Sequence, residues 1–311
     1  MNRKGFAVMF DWIFSLVAGI LIFSFLIYFA VQHTDLFGKI TSKVVAEELD
    51  VLFSQYETTE TKSTLDFGKK VELEFKCDDQ DNKQWFKVNG RDGKRVWGKI
   101  IFSPEKIESQ KINIATMSWD VPFRVANFVF LWDKQYTLIG EIPDVDLLDN
   151  FQNSNTANIR FVDDPGLSDD YGTGECADFG DQHEKIIYYK KNLDDSYVGY
   201  ICFYKGEGEV QRSSFYGEAM MIGAMFVDGV EDFDCIKKIA NDRLRIVADI
   251  YDEKSNDLVS LQCDFSGGYT QFGDEVDDLK NIDPLNINQI NVDQLKYINR
   301  NLIGNGCASV Y

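Results

Sequence analysis

Six cysteines, two histidines and a surplus of carboxylates are the residues of this 311-residue chain with chemistry in them. Cys77, Cys176, Cys202, Cys235, Cys263 and Cys307 are separated by 99, 26, 33, 28 and 44 residues. No CxxC pair exists to start a zinc site, and His33 and His183 are the only imidazoles. An even cysteine count in an exported chain predicts up to three disulfides, with 15 pairings open. A Ser-His-Asp or Cys-His relay needs an imidazole held beside a nucleophile, and the chain has no GxSxG elbow or HExxH motif. No cofactor and no catalytic residue is expected. A pair of carboxylates remains as a third route to hydrolysis, since Asp and Glu are abundant and their geometry is not written in the sequence. Eight acids among four glycines between Val162 and Glu184 form a loop that could hold Ca²⁺ through carboxylate oxygens, although the EF-hand register is absent.

Those acids belong to a wider imbalance. The net charge is −19, and the first 35 residues hold two basic side chains (Arg3, Lys4) against two acidic ones (Asp11, Asp35), so the whole excess lies beyond them. Nucleic acid and anionic headgroups would be repelled by that field, which excludes nucleic acid as a partner.

What positions this acidic body is a single apolar element. Trp12 to Val31 is twenty residues without a charge, enough at ~1.5 Å per residue to cross the ~30 Å core of a bilayer. Its length and the lack of an Ala-x-Ala-like site after it argue for retention rather than cleavage as a secretory signal. Arg3 and Lys4 before it and Asp35 after it predict a cytoplasmic N-terminus and an exported C-terminal portion. From Leu36 to Tyr56 the apolar residues Phe37, Ile40, Val44, Val45, Leu49, Leu52, Phe53 and Tyr56 recur at the helical period, with Lys39, Lys43, Glu47 and Asp50 opposite. Either one helix continues out of the bilayer, or the chain kinks at Gly38. The expected division is a cytoplasmic leader (1–11), a transmembrane helix (12–31), a juxtamembrane amphipathic helix (32–57) and an extracytoplasmic domain (58–311).

The N-terminus places a short basic leader, the junction Gly5 to Phe6, a few apolar residues and Asp11 ahead of the long hydrophobic helix. In this it resembles type IV pilins and pseudopilins. The resemblance implies cleavage between Gly5 and Phe6, and a role for Asp11 in docking one subunit onto the next. Asp11 is the sixth residue counted from Phe6, where the family has a Glu at the fifth, and the archaeal Gln-x-Ser-x-Glu leader is missing. The stretches Val121 to Trp132 and Tyr216 to Asp242 look similar to anchored surface proteins of uncharacterised archaeal families.

The exported portion reads as α+β. Val71 to Phe75 alternates with period two. Trp85 to Val88 and Arg95 to Phe102 flank Asn89 to Gly93, which predicts a hairpin. Ile112 to Trp119 and Phe123 to Trp132 predict strands, the second buried, and Asp144 to Phe151 a short helix behind Pro143. With Asn158 to Val162 these make a strand, helix, strand unit from Phe123 to Val162. A second hairpin is expected from Ile186 to Tyr189 and Tyr197 to Tyr204. A small-residue helix follows at Tyr216 to Phe226, then a long one at Asp232 to Leu261. In the latter Phe233, Ile236, Ile239, Ala240, Leu244, Val247, Ile250, Tyr251 and Leu258 form the apolar face, while Lys237, Lys238, Arg243 and Arg245 carry positive charge. A last helix, Leu285 to Ile303, stops at Gly304, with Cys307 pinning the tail.

Together these readings predict a single-pass cell-membrane protein. Its expected partners are the lipid bilayer and, through the N-terminal helix, copies of itself or other surface proteins. The expected role is structural, as a pilin-like or minor pilin-like subunit. The alternative is a tethered module for an extracellular ligand or cation, followed by an anchored carboxylate-based hydrolase.

Overall fold

The computed structural model describes residues 3–56, 58–78, 83–96, 98–134, 136–148, 158–164, 176, 185–192, 196–205, 209–260, 267–283 and 292–311; the side chains of 3–15, 30–41, 92–93, 158, 205 and 209 are not described. The backbone is helical from Arg3 to Tyr56 (α1), Gly38 included. Among the described residues, no helix is long and apolar enough to cross a membrane. The described side chains of the apolar stretch run from Leu16 to Phe29, and the expected span, Trp12 to Val31, extends past them at both ends. The chain divides into two units, Met1–Leu49 and Asp50–Tyr311. The second therefore begins inside α1, about two turns before its end.

That second unit is α+β, with two sheets. Strands β1 (Lys62–Asp78), β2 (Lys83–Val88), β3 (Arg91–Val96), β4 (Ile100–Phe102), β5 (Lys106–Asp120) and β6 (Arg124–Trp132) form one, in the order β3-β2-β1-β5-β6-β4. The other is β11-β10-β9-β8-β7, from β7 (Thr137–Gly140), β8 (Asn158–Asp163), β9 (Lys185–Lys191), β10 (Tyr197–Lys205) and β11 (Glu209–Tyr216). Helix α2 (Glu218–Phe226) lies between them, touching β4, β5 and β6 on one side and β10 and β11 on the other. Each of its residues from Ala219 to Phe226 is buried, which is why its sequence is apolar on every face. Glycine is needed inside it: a Cβ on Gly223 would stand 2.6 Å from the ring of Phe102. Helix α3 (Val230–Val259) packs on β1, β4, β6 and β11, helix α4 (Gly268–Lys280) on α3, and α5 (Asp293–Gly304) on α4.

Two disulfides join described residues. Cys77–Cys235 ties the end of β1 to α3 and Cys176–Cys202 ties to β10, each with Cα atoms 6.0 Å apart. Cys307 is also disulfide-bonded; Cys263 lies outside the described residues.

Several expectations need correcting. The first hairpin turns on two residues, Asn89 (φ 53°) and Gly90 (φ 67°), which matches the type I′ preference for Asn-Gly. Arg95 to Phe102 is not one strand: the backbone takes a positive φ at Gly98, and Ile100–Phe102 crosses to pair in parallel with β6. All three of those residues are buried on both faces, and the Gln84 side chain acts as a substitute strand for the exposed edge, donating to Ile101 O (2.6 Å) and accepting from Ile101 N (2.9 Å). Residues 144–147 form a bend and turn rather than a helix, and Leu148 enters a 3₁₀ turn. Val145, Leu147 and Leu148 are buried while Asp144 and Asp146 are exposed, which is the pattern of a turn laid on a surface, closed by Leu148 N donating to Val145 O at 2.8 Å. Residues 149–151 of that expected helix lie outside the described residues. Phe123 to Val162 is not one unit either, because β6 and β8 belong to different sheets and the parallel partners of β8 are β7 and β9. On α3, Ile250 is 58% exposed and Lys237 is buried, the reverse of their expected faces. At the last helix the left-handed residue is Gly306 (φ 78°), two beyond Gly304, and Cys307 N donates to Leu302 O to close the end. The acidic loop from Val162 to Glu184 falls mostly outside the described residues.

Candidate functional site

A groove of about 820 Å³ opens in the Asp50–Tyr311 unit at the far end of β5, bordered by the chain before β1, the 144–147 turn, Ser196, the β11–α2 junction and Lys296 of α5. Its floor is stapled by Thr116, whose N–H donates to Thr61 O, whose hydroxyl donates to Thr59 O (2.8 Å) and whose Oγ1 accepts from Thr61 N (2.8 Å). This places Glu60 over β5, where its Oε1 accepts from Ser118 N at 3.1 Å, and Ser118 Oγ donates to Asp120 Oδ2 at 3.1 Å.

The opposite wall depends on a backbone conformation reserved for glycine. Gly217, at φ 86° and ψ 155°, turns β11 into α2 without an intervening loop. A Cβ there would meet the Trp119 indole at 3.1 Å, and that indole N–H donates to Tyr216 O at 2.9 Å. Glu218 is therefore the first residue of α2 and borders the groove. A carboxylate at a helix N-terminus is ordinarily favoured in its charged form. Here partial burial pushes the Glu218 carboxyl above its usual range, and the fields of Asp146, Glu60 and Asp144 push the same way, against Lys191. Five carboxylates, Glu60, Asp120, Asp144, Asp146 and Glu218, thus border the groove with Lys62 and Lys296.

The chemistry open to this arrangement is attraction of a cation. Among the described residues no three His, Cys, Asp or Glu side chains are grouped closely enough to hold a metal ion. A carboxyl raised above its usual range beside other carboxylates is what a carboxylate-pair hydrolase would use. The one aromatic at the wall, Trp119, is 1% exposed, so no sugar ring can stack on it.

A second polar cluster sits under β11. Lys237 Nζ donates to Ser213 Oγ at 2.6 Å and lies 3.0 Å from Asp234 Oδ1, and Ser213 Oγ–H donates to the same carboxylate oxygen. Serine beside lysine is a known nucleophile pair. Lys237 is 1% and Ser213 5% exposed, so this pair meets no substrate and acts as a buried ion pair.

Of the residues singled out in the sequence, Gly5, Phe6 and Asp11 fall in the first turns of α1, where side chains are not described. None of the described cysteines borders the groove. The groove's carboxylates were not singled out as a set, because they come from four separate segments that only the fold brings together.

No known protein family, curated protein or solved structure matches this chain.

Proposed function

We propose that the protein is a membrane-anchored surface protein whose N-terminal helix lies in lipid and associates with copies of itself, in the manner of a pilin-like subunit. One observation carries this. Gly19 to Phe29 is exposed at every position, three turns of helix that cover all faces, with Leu21, Phe23, Phe25 and Tyr28 each 64 to 66% exposed. A helix apolar all round is stable in a bilayer or among other apolar helices, not in water. At ~1.5–3 kcal/mol per large side chain fully buried, its Leu, Ile and Phe residues represent on the order of 10 kcal/mol of unspent transfer free energy. The continuation of α1 into the body through Tyr56 supports the pilin-like form of the reading.

The test is flotation of the full chain with liposomes, followed by intact-mass analysis. Flotation with loss of Met1 to Gly5 is expected. A full-length chain that stays in the aqueous fraction refutes the anchor, and a floating chain that keeps Met1 refutes the pilin-like processing alone. The acidic groove favours a second reading, a tethered module for a cationic ligand, for which a spin-labelled polyamine broadening the signals of groove residues is the check.

A further inference from the structure

We propose that the solvent face of α3 pairs with the same face of a second copy of this chain, the two helices running antiparallel about a two-fold axis that passes beside residue 248. The contact uses no residue of α1 and does not depend on the anchor reading above.

The face is defined by what α3 leaves in water. Ala240, Leu244, Ala248 and Ser255 turn into the body and are buried. Facing away from them, Ile239, Arg243, Ile246, Ile250, Glu253 and Asp257 follow one another at spacings of four, three, four, three and four residues. At 3.6 residues per turn that alternation keeps all six on one stripe, about 80° wide. Ile239 is half-buried and the other five are exposed. Ile246 and Ile250, one turn apart at the middle of the stripe, are 55 and 58% exposed. Isolated apolar residues on a surface are ordinary. Two isoleucines four residues apart on a stripe of this alternation are the pattern by which one helix seats on another.

The order of the charges says which helix that is. Arg243 precedes Ile246 by three residues, and Glu253 follows Ile250 by three. The stripe is therefore its own complement when reversed: with Ile246 set opposite Ile250 of the second copy, Arg243 falls opposite Glu253, and the two-fold axis makes this pair twice. A parallel arrangement would instead set arginine on arginine and glutamate on glutamate, so the charges select the antiparallel register. Among the described residues, the ion pairs of α3 engage other groups: Asp234 holds Lys237 at 3.0 Å, Asp242 holds Arg245 at 3.7 Å, and Asp249 and Asp252 hold Lys280 at 3.3 and 2.9 Å. Asp257 falls opposite Ile239 at the rim, where its carboxylate stays in water.

The same patch serves both copies, so the contact is isologous and closes at a dimer. Exposed ion pairs contribute little on their own. The isoleucines supply the apolar area and the arginine and glutamate set the register. Three turns of helix make a small interface, of the reversible class.

The test uses the full chain in detergent. A zero-length carbodiimide applied to the Arg243→Lys variant, as mixed ¹⁴N and ¹⁵N copies, should join position 243 of one copy to Glu253 of the other; within one helix these positions are about 15 Å apart and cannot be linked. In sedimentation velocity Arg243→Glu alone and Glu253→Arg alone should each weaken the dimer about tenfold or more, because each sets two like-charged pairs in contact. Mixing these two variants should restore a dimer of unlike copies, since both contacts then oppose arginine and glutamate again. The chain carrying both reversals should pair with itself. Ile246→Gln with Ile250→Gln, at exposed positions, should also weaken the dimer about tenfold with no change in melting temperature. The proposal is overturned if neither reversal weakens the dimer, if the mixed variants fail to pair, or if the isoleucine variant weakens association that both reversals leave intact, since the face would then be an apolar patch without a register. Association through α1 survives every one of these variants and yields no link between positions 243 and 253, so either contact can fail without the other.

Discussion

The Lys237–Asp234–Ser213 cluster allows a prediction in which two substitutions at one ion pair have very different costs. Lys237 is buried at 1% exposure, whereas the Asp234 side chain is 29% exposed. Removing the acid leaves an ammonium without its counter-charge inside the domain, and uncompensating a buried charge costs about 3–5 kcal/mol. Removing the lysine as Lys237→Met keeps a straight apolar stem in the same space and leaves a carboxylate that water reaches, so the cost should be under about 1.5 kcal/mol, as for volume-conserving exchanges. Asp234→Ala should therefore be worse than Lys237→Met by about 2 kcal/mol or more. Denaturant unfolding of the detergent-solubilised chain, followed by tryptophan fluorescence, measures both. A second readout separates charge from packing. Burial holds the Lys237 ammonium below its ordinary value of 10.5, against the pull of Asp234. A lowered lysine pKa means the unfolded chain binds more protons between the folded and unfolded values. The penalty is complete below the folded value and is relieved as pH rises through the window up to 10.5. This lysine's contribution to wild-type stability should therefore rise with pH there, and the difference between wild type and Lys237→Met should drift in favour of wild type. Equal costs for the two variants, or a difference independent of pH, would refute the reasoning.

Two other predictions use the same assays. Glu218→Gln should stabilise the fold at pH 7 and not at pH 3: a raised carboxyl pKa penalises the folded state once the group ionises, and that penalty disappears as pH falls below the ordinary value of 4.5; no difference in melting temperature at pH 7 would count against the crowding of carboxylates. Gly223→Ala, which in an exposed helix would stabilise by roughly 0.5–1 kcal/mol, should instead destabilise by about 1–3 kcal/mol, because the new methyl would meet Phe102, itself packed against Phe128 at 5.1 Å and Phe130 at 5.9 Å; a neutral or stabilising result would show that the ring can yield.

The elements legible in the sequence are those with one face in the core and the other in water. The Asn-Gly hairpin, the β9–β10 pair and the amphipathic part of α3 all announced themselves by period and by turn residues. Where that contrast fails, so does the reading. The first half of β1, from Lys62 to Lys70, is exposed or half-exposed throughout, so no apolar alternation marks it, and it is held by pairing with β5. Ile100–Phe102 is buried on both faces and was indistinguishable from an extension of its neighbour. Helix α4 was missed although Tyr269, Phe272, Val276 and Leu279 stand at helical spacing behind a left-handed Gly267, so in that case a usable signal existed. The groove is a different matter. Glu60, Asp120, Asp144, Asp146 and Glu218 are individually ordinary acids in an acidic chain, and what concentrates them is the contact of β5, the 144–147 turn and the Gly217 junction.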